Sequence, residues 1–87
     1  MNVPYDEVWI DLYGMGQDLS ARTGAIFYVW NSPIVRFDAA LYDRSAGFTI
    51  SPAEWAVLRN DEDAQRALLR DKMDAAEAQL FEQNDGH

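Results

Sequence analysis

The chain has 87 residues, of which 48% are hydrophobic, enough for one domain with a modest core. Fifteen Asp and Glu stand against seven Lys and Arg, for a net charge of -8; there is no Cys, and the single His is the last residue. This excludes a disulfide framework and a thiolate metal site, and an acidic surface of this strength repels nucleic acid and anionic lipid while attracting basic protein surfaces.

The first seven residues, Met1 to Glu7, lack the basic and apolar regions of a signal peptide. Val8-Trp9-Ile10-Asp11-Leu12-Tyr13 alternates apolar and mixed positions with period 2, which predicts a strand. Gly14 to Gly24 is bracketed by glycines and reads as a long hairpin loop. Ala25 to Trp30 is a second expected strand, closed by the turn Asn31-Ser32-Pro33. Ile34 to Tyr42 is a third, with Val35, Phe37, Ala39 and Leu41 on one face and Arg36, Asp38 and Tyr42 on the other. Asp43 to Gly47 reads as a turn, and Phe48 to Ile50 as a short fourth strand.

At Ser51 the pattern changes. Ser51-Pro52-Ala53-Glu54 offers an N-cap, a proline at the first helical position and a glutamate that can close a capping box. A short helix is expected from Pro52 to about Arg59. Asn60-Asp61-Glu62-Asp63 starts a second, longer helix running to about Gln83, with Leu69, Met73, Ala76 and Leu80 as its core stripe. No apolar run approaches the roughly 18–20 residues of a membrane span. The expectation is a single α+β domain over residues 1–83, with a flexible tail at 84–87. An antiparallel meander of three to four strands is followed by one short and one long C-terminal helix packed on one sheet face.

A sheet covered on one side leaves the other to water. The aliphatic set Val8, Ile10, Leu12, Val35, Phe37, Ala39, Leu41, Phe48 and Ile50 is expected under the helices. The opposite face then carries Trp9, Asp11, Tyr13, Arg36, Asp38 and Tyr42, with Ile26, Tyr28 and Trp30 added by the middle strand. Five aromatic rings half exposed on one face would make a patch of roughly 400–600 Å², at the upper limit for an ordinary monomer. Either the chain covers that patch itself, through its first seven residues or the long loop, or another protein does.

The carboxylates carry no catalytic pattern. They fall at caps, in turns and on outward faces, where Glu62 with Arg66 and Arg70 with Asp74 are expected as i, i+4 pairs. They do not match a calcium-binding loop, and neither a His cluster nor a base beside a serine is present. Gly14-x-Gly16 is too short a fragment of a phosphate-binding fingerprint to mean anything. No cofactor and no metal are expected, and the chain reads as a non-enzyme. What remains is collective: Asp71, Asp74 and Glu77 recur every three residues, about 4.5 Å apart along a helix axis, comparable to the ~3.4 Å phosphate rise of a nucleic-acid strand.

No family motif stands in the chain. In size, acidity and lack of chemical machinery it resembles the small inhibitors that phages deploy against host defences, some anti-CRISPR proteins and other nucleic-acid mimics among them. That likeness is one of type and carries no functional residue. It implies a small acidic inhibitor, cytoplasmic in the host cell if phage-encoded, that occludes a basic, nucleic-acid-handling surface of a larger protein. It would bind neither nucleic acid nor membrane directly. The expected partner-binding residues are Trp9, Asp11, Tyr13, Tyr28, Trp30, Asp38, Tyr42, Asp71, Asp74 and Glu77. The alternative is a homo-oligomeric accessory domain, a homodimer for instance, whose aromatic sheet face meets itself. One Lys against six Arg, with ten Asp, also suits a GC-rich genome or a salt-adapted host, and the acidity would then serve solubility alone.

Overall fold

In the computed structural model, which describes residues 3–81, the chain runs through a helix, three strands and two further helices. A single 3-10 turn at Tyr5–Glu7 leads into α1 (Val8–Thr23). Then come β1 (Ile26–Trp30), β2 (Val35–Leu41) and β3 (Arg44–Ile50), followed by α2 (Pro52–Val57) and α3 (Glu62–Phe81). The strands form one antiparallel sheet in the order β1-β2-β3. α1 packs over β1 and β2, and α3 over β3 and β2. The expected tail at 84–87 and the last expected helical residues lie outside the described residues.

The three-strand sheet and the two C-terminal helices follow the expectation; the first segment does not. Val8 to Tyr13 is helical, and so is Gly14 to Thr23, where a strand and a hairpin loop were expected. The reason is periodicity over a longer window. Val8, Leu12 and Leu19 are buried and Met15 is half-buried, an i, i+4, i+7, i+11 stripe like that of α3. Six residues of alternation could not separate the two periods. Ile10, expected in the core, is 51% exposed. Gly24 ends the helix at φ 84°, its N–H donating to the Ser20 carbonyl at 2.8 Å, the left-handed stop that glycine supplies without a Cβ clash.

Within the sheet the expected faces hold. Val35, Phe37, Ala39 and Ile50 are buried, and Leu41 and Phe48 pack against them. Phe27, Phe37 and Phe48 line up across the three strands as stacked rings, with centroids 6.0 and 5.4 Å apart. β3 begins at Arg44, so the turn is shorter than expected and occupies only Tyr42 and Asp43 between the paired Leu41 and Arg44. The β1–β2 connection contains a cis Ser32–Pro33 peptide.

Ser51 caps α2 as its sequence implies. Its hydroxyl accepts from the Glu54 N–H at 3.1 Å, and the Glu54 carboxylate accepts from the Ser51 N–H at 2.8 Å. Lys72 of α3 reaches the same carboxylate at 3.2 Å and donates to the Thr49 carbonyl at 2.7 Å, tying α3 to the cap and to the end of β3. Burial alone would raise the Glu54 carboxyl, but the Ser51 N–H and the Lys72 ammonium outweigh it and hold it below its ordinary value near 4.5.

The start of the described chain is pinned to the far end of the domain. The Tyr5 hydroxyl donates to the Ile50 carbonyl and accepts the Val35 N–H at 3.0 Å, bridging β2 and β3 where they part. The Val3 carbonyl takes the buried Trp55 indole N–H at 2.8 Å, and the Val3 N–H donates to the buried Gln65 at 3.2 Å.

Candidate functional site

Among the described residues, the face of the sheet away from the helices is open. The pleat sends Ile26, Tyr28 and Trp30 of β1 to that side, together with Arg36, Asp38 and Ala40 of β2 and Ser45, Gly47 and Thr49 of β3. The register sets them in three rows: Ile26-Ala40-Ser45, Tyr28-Asp38-Gly47 and Trp30-Arg36-Thr49. Ile26, Tyr28 and Trp30 are 61%, 63% and 51% exposed. Of the two segments that could have covered them, the described part of the first, Val3 to Glu7, sits instead against α2, α3 and the ends of β2 and β3. The second, Gly14 to Gly24, is no loop but belongs to α1 and its glycine stop, on the opposite face.

Asp38 organises the centre of this face. One of its carboxylate oxygens accepts the Trp30 indole N–H at 3.1 Å and the Arg36 guanidinium at 2.7 Å. The carboxylate in turn holds the Arg36 guanidinium above its ordinary pKa. Its neighbour across the ladder is Gly47, where a Cβ would collide with the Asp38 carboxylate and meet the Phe37 carbonyl at 2.7 Å. The glycine therefore makes room for Asp38 to lie flat and hold Trp30, whose ring centroid is 6.5 Å from that of Tyr28. The sequence pattern assigns Gly47 to a turn. The signal that could have found it is a glycine inside a strand, which marks close approach of another group.

The other expected site residues fall elsewhere. Trp9, Asp11 and Tyr13 belong to α1 and not to the sheet, a correction that follows from the helical period of that segment. Trp9 and Tyr13, one helical turn apart, share a flank of α1, and the Tyr13 ring meets Phe27 edge-on at 5.4 Å. Tyr42 lies at the β2–β3 turn beyond the sheet face, 96% exposed and at φ 58°.

Asp11, Asp74 and Glu77 come together along a groove between α1 and α3, joined there by Asp18 but also by Arg22, Arg66 and Arg70. Arg22 bridges the two helices, bonding Glu77 through both terminal nitrogens at 2.9 and 3.3 Å and Asp18 at 2.9 Å. The expected Glu62–Arg66 pair forms at 3.0 Å, while no Arg70–Asp74 pair forms among the described residues. Asp71 and Asp74 are exposed, so the acidic ridge of α3 presents two uncommitted carboxylates and a third shared with Arg22.

The backbone of Tyr42 has a testable consequence. A bulky side chain in the left-handed region costs about 1–2 kcal/mol, and this one has almost no packing to lose. Tyr42→Gly should therefore raise stability by ~1 kcal/mol, read as a higher urea midpoint with an unchanged slope. A lower midpoint would mean that the ring supports the turn.

Among the described residues no group of His, Asp or Glu is placed to hold a metal ion, and no helix is long and apolar enough to cross a membrane. The fold and site define an α+β two-layer domain with an aromatic sheet face that no described segment covers. No protein family, curated protein or solved structure matches the chain, so its functional reading rests on this geometry.

Proposed function

We propose that the chain is a small acidic binding protein that inhibits a larger, nucleic-acid-handling partner by docking on its basic surface, with the open sheet face as the main contact. The observation that carries this reading is the row Ile26, Tyr28 and Trp30, each more than half exposed with no described segment over it. Trp and Tyr are enriched at interface hot spots, and here Asp38 fixes Trp30 in place before any partner arrives. Fixing an anchor in advance removes part of the ordering cost of binding.

The acid excess supplies the approach. A net charge of -8 draws in a basic surface over distances beyond contact and speeds encounter. The free carboxylates of α3 and the groove add to that field, in keeping with mimicry of a phosphate row, while Arg22, Arg66 and Arg70 dilute it.

The test uses the immobilised chain as bait in host lysate, followed by kinetics on the partner it retains. One exposed ion pair contributes only ~0–1 kcal/mol, so single neutralisations should matter little. The combined change Asp71→Asn, Asp74→Asn and Glu77→Gln should slow association, mostly through the first two, because Glu77 is already bonded to Arg22. Rising salt should slow it as well, since screening acts over ~8 Å at physiological ionic strength. A rate indifferent to both would remove the mimic and leave the sheet face as a neutral docking surface.

A further inference from the structure

β1 is an edge strand, and its sequence carries none of the devices that usually blunt an edge. Ile26-Phe27-Tyr28-Val29-Trp30 has no charge, proline or glycine, and no charged side chain occurs anywhere from Thr23 to Val35. In a chain of net charge -8 this is the longest uncharged stretch, and two copies can meet on it without like-charge repulsion.

The hydrogen-bond parity of the sheet tells which groups face outward. The two-residue turn makes Leu41 and Arg44 a mutually bonded pair, so the odd-numbered residues of β2 bond toward β3 and the even-numbered ones toward β1. The Tyr5 hydroxyl, inserted between the Val35 N–H and the Ile50 carbonyl, occupies the last position of that same series. Ile26, Tyr28 and Trp30 thus spend their backbone groups on Ala40, Asp38 and Arg36. Phe27 and Val29 turn their N–H and C=O groups to the outer edge, where no described strand pairs with them.

From this we infer that β1 pairs antiparallel with β1 of a second copy of the chain, about a two-fold axis at Tyr28. In that register Phe27 faces Val29 of the other copy. Four hydrogen bonds use every outward backbone group of Phe27 and Val29 on both chains. Tyr28 faces its own copy and Ile26 faces Trp30, the larger side chain against the smaller. The axis is perpendicular to the sheet, so both helical layers lie on one side, with the uncharged flanks of α1 that carry Trp9 and Tyr13 adjacent. The two open faces merge into one six-stranded surface. This pairing needs no partner protein.

Sedimentation velocity across concentration reads the outcome directly. The wild-type chain should show a reversible monomer–dimer equilibrium. Tyr28→Lys and Tyr28→Glu, changes at a 63% exposed position, should each be folded by circular dichroism and monomeric alone, because like charges meet at the axis. Mixed in equal amounts, they should form a heterodimer. Val29→Pro removes the outward N–H from each copy, hence two of the four bonds, and should weaken the dimer roughly 30-fold. A wild-type chain that stays monomeric, lysine or glutamate variants that dimerise alone, or a mixture that fails to restore the dimer would each overturn the inference. An edge reserved for a foreign strand would give the first of these results.

Discussion

Replacing Gly16 with valine should destabilise the domain by about 2–3 kcal/mol, the upper part of the range for overpacking a close contact. Gly16 is buried in the middle of α1, directly over the ring of Phe27, where a Cβ would stand 2.6 and 2.9 Å from two ring carbons. That ring cannot step aside, because Tyr13 meets its edge and Phe37 stacks on it. The helix must lift from β1, and the contact between the two layers opens. Domains of this size have only about 5–15 kcal/mol in total, so the loss should appear plainly as a lower denaturation midpoint. The contact can be isolated by a double-mutant cycle. Phe27→Ala destabilises alone, but combined with Gly16→Val it should cost less than the sum, since the valine fills the space the ring vacates. Additive effects would mean that Gly16 is needed for some reason other than Phe27.

Trp30→Asp should weaken partner binding by about 30-fold or more, the effect of losing a hot spot worth at least ~2 kcal/mol. The substitution removes the exposed ring, removes the indole donor to Asp38 and sets a second carboxylate beside it. The fold should persist, because Trp30 is half exposed and its ring contributes to the outer face alone. Circular dichroism and the denaturation midpoint should stay near wild type while the dissociation rate rises, as is usual when a buried interface anchor is lost. Full binding by a folded Trp30→Asp protein would move the site off the sheet face.

How far the fold could be read depended on the length of each signal. The capping box at Ser51 is a local code written in four residues, and it holds in the structure. The stripe Leu69, Met73, Ala76 and Leu80 spans several helical turns and is buried as its period requires. Val8 to Tyr13 is too short for that: six residues alternate as a strand would, and only continuation to Met15 and Leu19 reveals the helix. The glycines compounded the misreading. Gly14 and Gly16 looked like loop punctuation, whereas Gly16 serves helix–sheet packing and Gly24 alone marks an end.

For the site, the alternation of β1 placed Ile26, Tyr28 and Trp30 correctly on the open face. Trp9, Asp11 and Tyr13 left that face once their segment became helical. Asp38 lay on the expected face, but its tie to Trp30 and its dependence on Gly47 were invisible, since both arise from cross-strand register and not from local spacing. The meeting of Asp11, Asp74 and Glu77 depends on how α1 and α3 pack, which no local pattern encodes.

The most direct measurement is the set of backbone amide shifts of the isotopically labelled chain as the captured partner is titrated in. With the sheet face as the contact, the largest changes should fall on Ile26 to Trp30, Arg36 and Asp38, with the indole N–H of Trp30 among them and the buried Trp55 unmoved. Changes confined to the exposed face of α3 and the groove around Asp74, with β1 undisturbed, would contradict it.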